Sequence, residues 1–510
     1  MRSSRFNANV VAEDILESAI WALRRELGIT SRFPDQAWEE AKDAARAIDI
    51  SQLPDRRDIR FVTIDPEGAR DLDQALHIER EGSGYLVRYA IAAVSLFVKP
   101  GGVLDREVHR RGVTVYLPDR AIPLHPVTLS ANAASLLPNV DRPAYLWYLH
   151  VGARGELVDA RVELAQIRSR AQLTYSQVQA AYDDGGWLPR SVPADMPQLL
   201  QEVGDLREQC EIERGGVSLA LPEQRIVRDN GGYRLAFREL TAVERWNAQI
   251  SLLTGMAAAQ IMLDANIGIV RTLPRALERD VDRLRRVAQT LGLDWPPETE
   301  YADFIRSLGA TSATELAFLH EATMLFRGAG YLALPIPDND QNNGESSKPL
   351  DVGHAAIGAP YAHVTAPLRR LVDRYALEVC RCLCSGQEIP QWVRQALPKL
   401  PAEMATATQK AGRLQKRAVG AAEALTLVGR EGERFRGTII DVISANGGRN
   451  GNGGEDQEAR LQRGVVLLRE PAVSAKVTGL ELVAGQEVTV ELVAVDTEAG
   501  RVTFQLVNSQ

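Results

Sequence analysis

Apolar residues along the chain keep one of two periods, and the switches between those periods divide it into segments. Between residues 8 and 48 the spacing is three and four: the run from Ala12 to Leu23 and a second opening at Trp38-Glu39-Glu40-Ala41 predict helices. At Phe61 the period falls to two and β-branched residues collect, which predicts strands over 61–64, 76–78, 85–94 and 96–98 with a hairpin turn at Gly82-Ser83-Gly84. A short helix ended by Gly112 and a strand carrying Tyr116 follow; strands return over 145–151 and 158–167, and Thr174-Tyr175 starts a helix. Helical spacing then dominates over 195–213, 241–264, 276–292, 312–328 and 367–385, broken by the polar run Asp338–Ser347, which predicts a mobile loop. Strand spacing resumes over 435–442, 464–468, 473–477, 487–495 and 501–506, with a Gly/Asn-rich insertion at 446–454. Five short strands of this kind predict a small OB-type barrel. The segments thus read as a helical N-terminal cap (1–50), a mixed α+β body (51–400), a basic helical linker with Lys410, Arg413, Lys416 and Arg417 (401–430) and a β-barrel (431–510).

At 510 residues, 45% hydrophobic and 25% charged, the chain has the composition of a globular protein of several domains. It has no apolar run of transmembrane length, and Met1-Arg2-Ser3-Ser4 leads into a polar stretch, so a cytoplasmic protein that makes no use of a membrane is expected. The four cysteines agree with that compartment. Cys380, Cys382 and Cys384 alternate in a helical segment, where residues two apart diverge, which argues against a metal site there. A net charge of −8 excludes a protein that coats nucleic acid by bulk positive charge, so a polyanionic substrate has to be met by clustered arginines.

Two stretches carry candidate chemistry. In the first, a β-branched run delivers Asp65, Pro66 and Gly68 turn the chain, and Asp71 and Asp73 follow two residues apart, on the same face if extended. Crowded carboxylates repel, and a hard divalent cation with oxygen ligands relieves the repulsion. The same spacing also suits an Asp-rich surface turn. In the second, Thr365 and Pro367 mark a helix start, where free N–H groups favour an anion, and Arg369 and Arg370 fall in the expected first turn. Asp373 is placed to pair with either arginine; a phosphate site is the other reading, since the guanidinium fork suits phosphate.

Thr63-Ile64-Asp65 with Ala69-Arg70-Asp71-Leu72-Asp73, Arg111-Gly112 with Tyr116-Leu117-Pro118-Asp119-Arg120 and Ile122-Pro123, Ser135-Leu136-Leu137-Pro138 with Asp141-Arg142, and Thr365-Ala366-Pro367-Leu368-Arg369-Arg370 with Asp373 stand in the order and spacing of a known family. In these blocks, over roughly 35–385, the chain resembles the RNB-domain exoribonucleases, the ribonuclease II and ribonuclease R group. The resemblance implies an α/β mixed (α+β) RNB catalytic domain with a helical N-terminal cap, where the family carries cold-shock barrels, and a small all-β OB-type C-terminal barrel. It also implies 3′→5′ hydrolysis of single-stranded RNA to nucleoside 5′-monophosphates with magnesium, manganese being the alternative, and other RNA-degradation proteins as partners. Its residue assignments are Asp71, Asp73 and Arg369 for catalysis, Asp65, Asp71, Asp73 and Gln74 for the metal, and Tyr116, Tyr175, Arg120, Arg142 and Arg370 for RNA.

Four positions depart from the family pattern. Gln74 replaces the last acid of Asp-Leu-Asp-Asp, Ala93 stands where an Asp is usual, Asn247-Ala248-Gln249 replaces a pair of glutamates and leaves Glu244 a turn earlier, and Leu219 takes the place of a stacking Phe. They leave open a catalytically weak RNB-fold protein that binds RNA 3′ ends or regulates a partner; a third, separate possibility is a metallo-phosphoesterase acting on a small substrate. The barrel offers only Phe435 and Phe504 for stacking and is acidic, so weak RNA binding or a docking role is expected of it.

Overall fold

The computed structural model describes residues 11–118, 120–219, 221, 223–229, 232–310, 312–335, 352–443 and 461–507. The expected loop Asp338–Ser347 and the insertion at 446–454 lie outside these residues. Five strands, β1 (Phe61–Asp65), β2 (Gln74–Glu81), β3 (Gly84–Ala92), β4 (Asp141–Val151) and β5 (Leu157–Thr174), close into a barrel in that order. The closing pair, β1 with β5, is parallel and sets Asp65 opposite Thr174. Strand β4 is buried along most of its length, Trp147 and Tyr145 completely, because helices cover the outside of the barrel while side chains fill its inside. Strand β3 stops at Ala92, short of the expected 94: its partner at the next position is Pro143, which has no N–H to give. The expected strand over 96–98 is absent, and Val94–Leu96 forms a 3-10 turn instead.

Helices α1 (Glu13–Glu26) and α2 (Asp35–Ala47) make the cap. In α1, Leu16, Ile20 and Leu23 are buried at helical spacing. In α2, Glu40 accepts the N–H groups of Val103 at 2.8 Å and Leu104 at 2.9 Å, capping α3 (Val103–Arg111) with a carboxylate where the helix dipole favours one. Helix α4 (Tyr175–Asp184) starts directly after β5 on a Thr174/Gln177 capping box. Helices α5 (Met196–Glu213), α6 (Ala242–Asp264) and α7 (Leu371–Ser385) add to the barrel's cover.

Helix α7 begins four residues later than expected. Leu371 N–H bonds Gly112 O and Thr114 N–H bonds Arg369 O, so Arg369 and Arg370 are drawn out as backbone partners of the chain after α3. The two arginines therefore precede the helix, and its first turn carries Asp373, the sign the dipole prefers. The basic segment expected as a linker is one helix, α8 (Leu400–Leu427), whose Leu414 packs with Leu23 of α1 and whose Ala418 and Ala422 join the core of a second barrel. That barrel, β6 (Arg434–Ile443), β7 (Gln462–Leu468), β8 (Val473–Gly479), β9 (Glu487–Asp496) and β10 (Arg501–Leu506), closes in the order β6-β7-β8-β10-β9. Phe435 and Phe504 meet edge to face inside it, both buried, so neither offers a stacking surface. Among the described residues no helix is long and apolar enough to cross a membrane.

Candidate active site

The acidic loop leaves the barrel at Asp65, turns at Pro66–Ala69 with Gly68 at φ +78°, and re-enters at Gln74. It is tied down along its length. Gln172 Nε2 donates to Ala69 O at 2.7 Å; Ser135 Oγ donates to Arg70 O at 2.7 Å and accepts Leu72 N–H at 3.0 Å; Leu136 N–H bonds Leu72 O and Ala92 N–H bonds Asp73 O. Ser135 is itself held by Arg142, whose guanidinium donates to the carbonyls of Ser135, Asn132 and Asp141. Arg142, expected at the RNA, is thus a largely internal staple, and burial lowers its pKa. Such clamping holds charged groups in place at no cost in reorganisation when a substrate arrives.

Electrostatics at the loop are strained. Asp65 Oδ2 is buried without a partner, and burial, assisted by the charge of Asp71, pushes its carboxyl up to about 7. Asp73 is 5% exposed and is raised well above the usual carboxylate range by burial, against the opposing pull of Arg369 and of the Leu368 N–H, which it accepts at 2.7 Å. Asp71 Oδ2 accepts the Tyr116 hydroxyl at 2.9 Å. Buried acids with an unpartnered oxygen are a donor set that suits a hard divalent cation. Among the described residues no three His, Cys, Asp or Glu groups are drawn together closely enough to hold an ion, so the aspartates share a field rather than one coordination shell.

Gln74, expected as a fourth oxygen ligand, has both ends of its carboxamide engaged by protein. Its Nε2 donates to Thr365 O at 2.7 Å, and its Oε1 accepts the hydroxyl of buried Tyr89 at 2.5 Å, with Ser251 Oγ at 3.5 Å. In this geometry it braces the acidic loop against the segment that carries Arg369.

That segment forms the facing wall. Arg369 Nε lies 3.7 Å from Asp73 Oδ2 with its side chain 44% exposed, so the guanidinium is both near the acids and open to a ligand. Arg370, the other arginine expected at RNA, makes two 2.8 Å bonds to fully buried Asp373, which also accepts Ala366 N–H at 2.6 Å. It is the internal ion pair that shapes the turn. His125, buried beneath, contacts Leu368 O through Nδ1 at 3.2 Å, and burial lowers it to about 4. The backbone of Leu368 is thereby held on both sides, its N–H by Asp73 and its carbonyl by His125, a support that no motif signals.

The two tyrosines flank the acids. Tyr116 is 44% exposed and burial raises its hydroxyl pKa, with Asp71 adding to the shift. Tyr175 opens α4 beside Asp65, its hydroxyl 3.5 Å from Asn247 Nδ2. Arg120 is exposed and lies 4.0 Å from Glu17 of the cap. Of the departures, Ala93 is buried, Gln249 turns to Glu211 at 2.6 Å, Glu244 is spent on its capping box and on Arg238, and Leu219 packs at a separate apolar cluster around Phe304 and Phe318.

Comparison with known proteins bears on this architecture. Residues 54–383 match the RNB domain, and residues 433–507 match the RNase II-type exonuclease C-terminal S1 domain. Ribonuclease R of Aquifex aeolicus is 27% identical over 96% of this chain and 70% of its own length; ribonuclease R of Escherichia coli is 30% identical over 66% of this chain and 40% of its own length. The chain therefore spans well under half of the second relative. In structure it is similar to Mycoplasma genitalium RNase R in complex with ribose methylated single-stranded RNA, with a TM-score of 0.81, 18% identity, and coverage of 97% of this chain and 78% of that one, which shows a shared fold. With its central domain matched from end to end and an S1 barrel behind it, the chain belongs to the RNB-domain family, the ribonuclease II and ribonuclease R group.

Proposed function

We propose that this protein is a 3′→5′ exoribonuclease that hydrolyses single-stranded RNA to nucleoside 5′-monophosphates in the cytoplasm. The observation that supports this most is the pairing of a desolvated Asp73 with a ligand-accessible Arg369 at 3.7 Å, beside Asp65 and Asp71. Asp65, Asp71 and Asp73, not gathered round one ion in this structure, would each offer oxygens to a divalent cation, magnesium or manganese, which when bound polarises the scissile phosphate and lowers the pKa of an attacking water. Arg369 faces that phosphate and offsets negative charge developing on its oxygens, while Asp73, itself held by the Leu368 N–H, lies 3.7 Å from its guanidinium. Tyr116 orients Asp71 through its hydroxyl and, 44% exposed, remains open to a base, and Tyr175 lies beside Asp65, where it would meet the terminal nucleotide. Stacking of this kind is worth ~1–3 kcal/mol per base and tolerates any sequence.

Incubation of a 5′-labelled single-stranded RNA with purified protein tests the reading. Stepwise shortening that needs a divalent cation and disappears in Asp73→Asn is the expected result. A second reading, an RNB-fold protein that binds RNA ends without cutting them, draws on the engaged Gln74 carboxamide and the dispersed aspartates. Tight binding without shortening under any divalent cation supports it and overturns the first.

A further inference from the structure

The barrel end away from the aspartates carries a feature the catalytic account does not use. The loop after α4 presents Trp187 with 78% of its surface exposed, while the next residue, Leu188, packs on the core and pins the loop. Below it Arg60 donates to Ser191 O at 3.1 Å and Arg190 O at 3.3 Å, and Ser191 Oγ bonds Arg170 O. Arg170 donates to the carbonyl of Arg57. Among the described residues Arg60, Arg170 and Arg190 meet no carboxylate, unlike neighbouring Arg56, Arg57 and Arg168, which pair with Glu163, Asp55 and Asp141. Arg56, Arg57, Arg168 and Arg170 line an open surface depression of about 670 Å³ together with Asp55 and Asp58.

Single exposed tryptophans are unremarkable; this one shares a short loop with exposed Arg190, and Arg60 is held against the backbone of that loop, in a chain of net charge −8. An open indole on the same loop as Arg190, with the partly carbonyl-bound guanidiniums of Arg60 and Arg170 close to that loop in the chain's hydrogen-bond network, offers the two contacts that hold a single nucleic-acid strand, base stacking and phosphate pairing. We propose that Trp187, Arg60, Arg170 and Arg190 form a second binding site for single-stranded RNA, separate from the catalytic cleft. The choice of RNA over another polyanion rests on the function proposed above. Two rulers separate the sites: the length of β1 from Arg60 to Asp65, and that of α4 from Tyr175 to the Trp187 loop, each about 15 Å at ~3.3 Å per strand residue and ~1.5 Å per helical residue. RNA held there is tethered while its 3′ end is in the cleft, which raises the effective concentration of long substrates alone.

The test measures dissociation constants of the full chain, in chelating buffer, for a long fluorescent oligouridylate and for one short enough to fill only the cleft. Loss of one stacked base, at ~1–3 kcal/mol, is a roughly 5- to 150-fold effect. Trp187→Ala is therefore expected to weaken the long RNA at least about fivefold, with Trp187→Phe restoring most of it. Arg190→Gln is expected to flatten the dependence of log K on log salt by ~0.7. Binding of the short RNA in that buffer, and its turnover in a separate assay with a divalent cation, stay at the wild-type level. Wild-type affinity for the long RNA in both variants, the result expected if the patch serves a protein partner, overturns the proposal, as does equal weakening of both RNAs. Tethering that depends on Trp187 in a protein that shortens no RNA leaves this site standing and removes the exoribonuclease reading instead.

Discussion

Gln74→Glu is close to isosteric, yet it replaces the amide that donates to Thr365 O with an oxygen facing that carbonyl. Two acceptors then meet at the former hydrogen-bond distance, next in the chain to the buried Asp73. The buried Thr365 carbonyl loses its donor and the new carboxylate is desolvated, a cost of ~1–3 kcal/mol. A protonated Glu side chain can still donate to Thr365 O, so folding draws the new carboxyl's pKa above its unfolded ~4.3, by about one unit for each 1.4 kcal/mol. The sign follows from linkage: the stability of the variant is fully present below pH ~4.3 and is lost as the pH rises through the higher folded value. Urea unfolding of variant and wild type in chelating buffer at two pH values measures this, with a stability gap of ~1–3 kcal/mol expected at pH ~8 and one smaller by about 1 kcal/mol at pH ~5. A gap that does not change with pH, or a variant more stable than wild type at the higher pH, refutes the bracing role assigned to Gln74.

The same geometry separates the two arginines of the facing wall. Arg370→Ala leaves Asp373 buried and unpaired and is expected to cost ~3–5 kcal/mol in denaturant unfolding. Arg369→Ala, whose side chain is 44% exposed, is expected to cost about 1 kcal/mol or less while lowering kcat on single-stranded RNA about 10²–10³-fold. Asp65 is pushed up to about 7 by burial, so the metal-free protein loses stability as pH rises from ~4 to that value. Asp65→Asn should stabilise it in chelating buffer at pH ~8 by up to about 4 kcal/mol, an advantage that fades towards pH ~4, while RNA shortening falls. Ser135→Ala strips the Leu72 N–H and Arg70 O of their shared partner; a loss of ~1–3 kcal/mol and a fall in kcat larger than any change in KM are expected from a loosened acidic loop.

The alternation from Phe61 onward and the helical period of the first fifty residues made the strands and the cap helices legible in the sequence, because burial on one face imposes those periods directly, whereas the closure of those strands into a barrel was not. Tertiary hydrogen bonds are what the pattern could not carry. The helix expected to start at Pro367 starts at Leu371 since Gly112 and Thr114 claim the intervening backbone. The ladder of β3 ends at a proline on a strand fifty residues away. The hairpin of Glu223–Asp229 with Gly232–Arg238 is absent from the expected elements, although Asn230-Gly231 between two β-type runs is a strong local signal for one. At the site, motif spacing pointed to Asp65, Asp71, Asp73 and Arg369. It did not distinguish residues that face the cleft from Gln74, Arg142 and Arg370, whose polar groups are used up holding the loops. His125, Ser135 and Tyr89 carry no motif, being recognisable only by what they touch.

A time course with one RNA labelled at either end tests the central claim most directly. A 3′ label released at once as nucleoside 5′-monophosphate, while the 5′ label stays in fragments that shorten one residue at a time, is what the account predicts. Release of the 5′ label first, or internal fragments carrying both kinds of end, would contradict it.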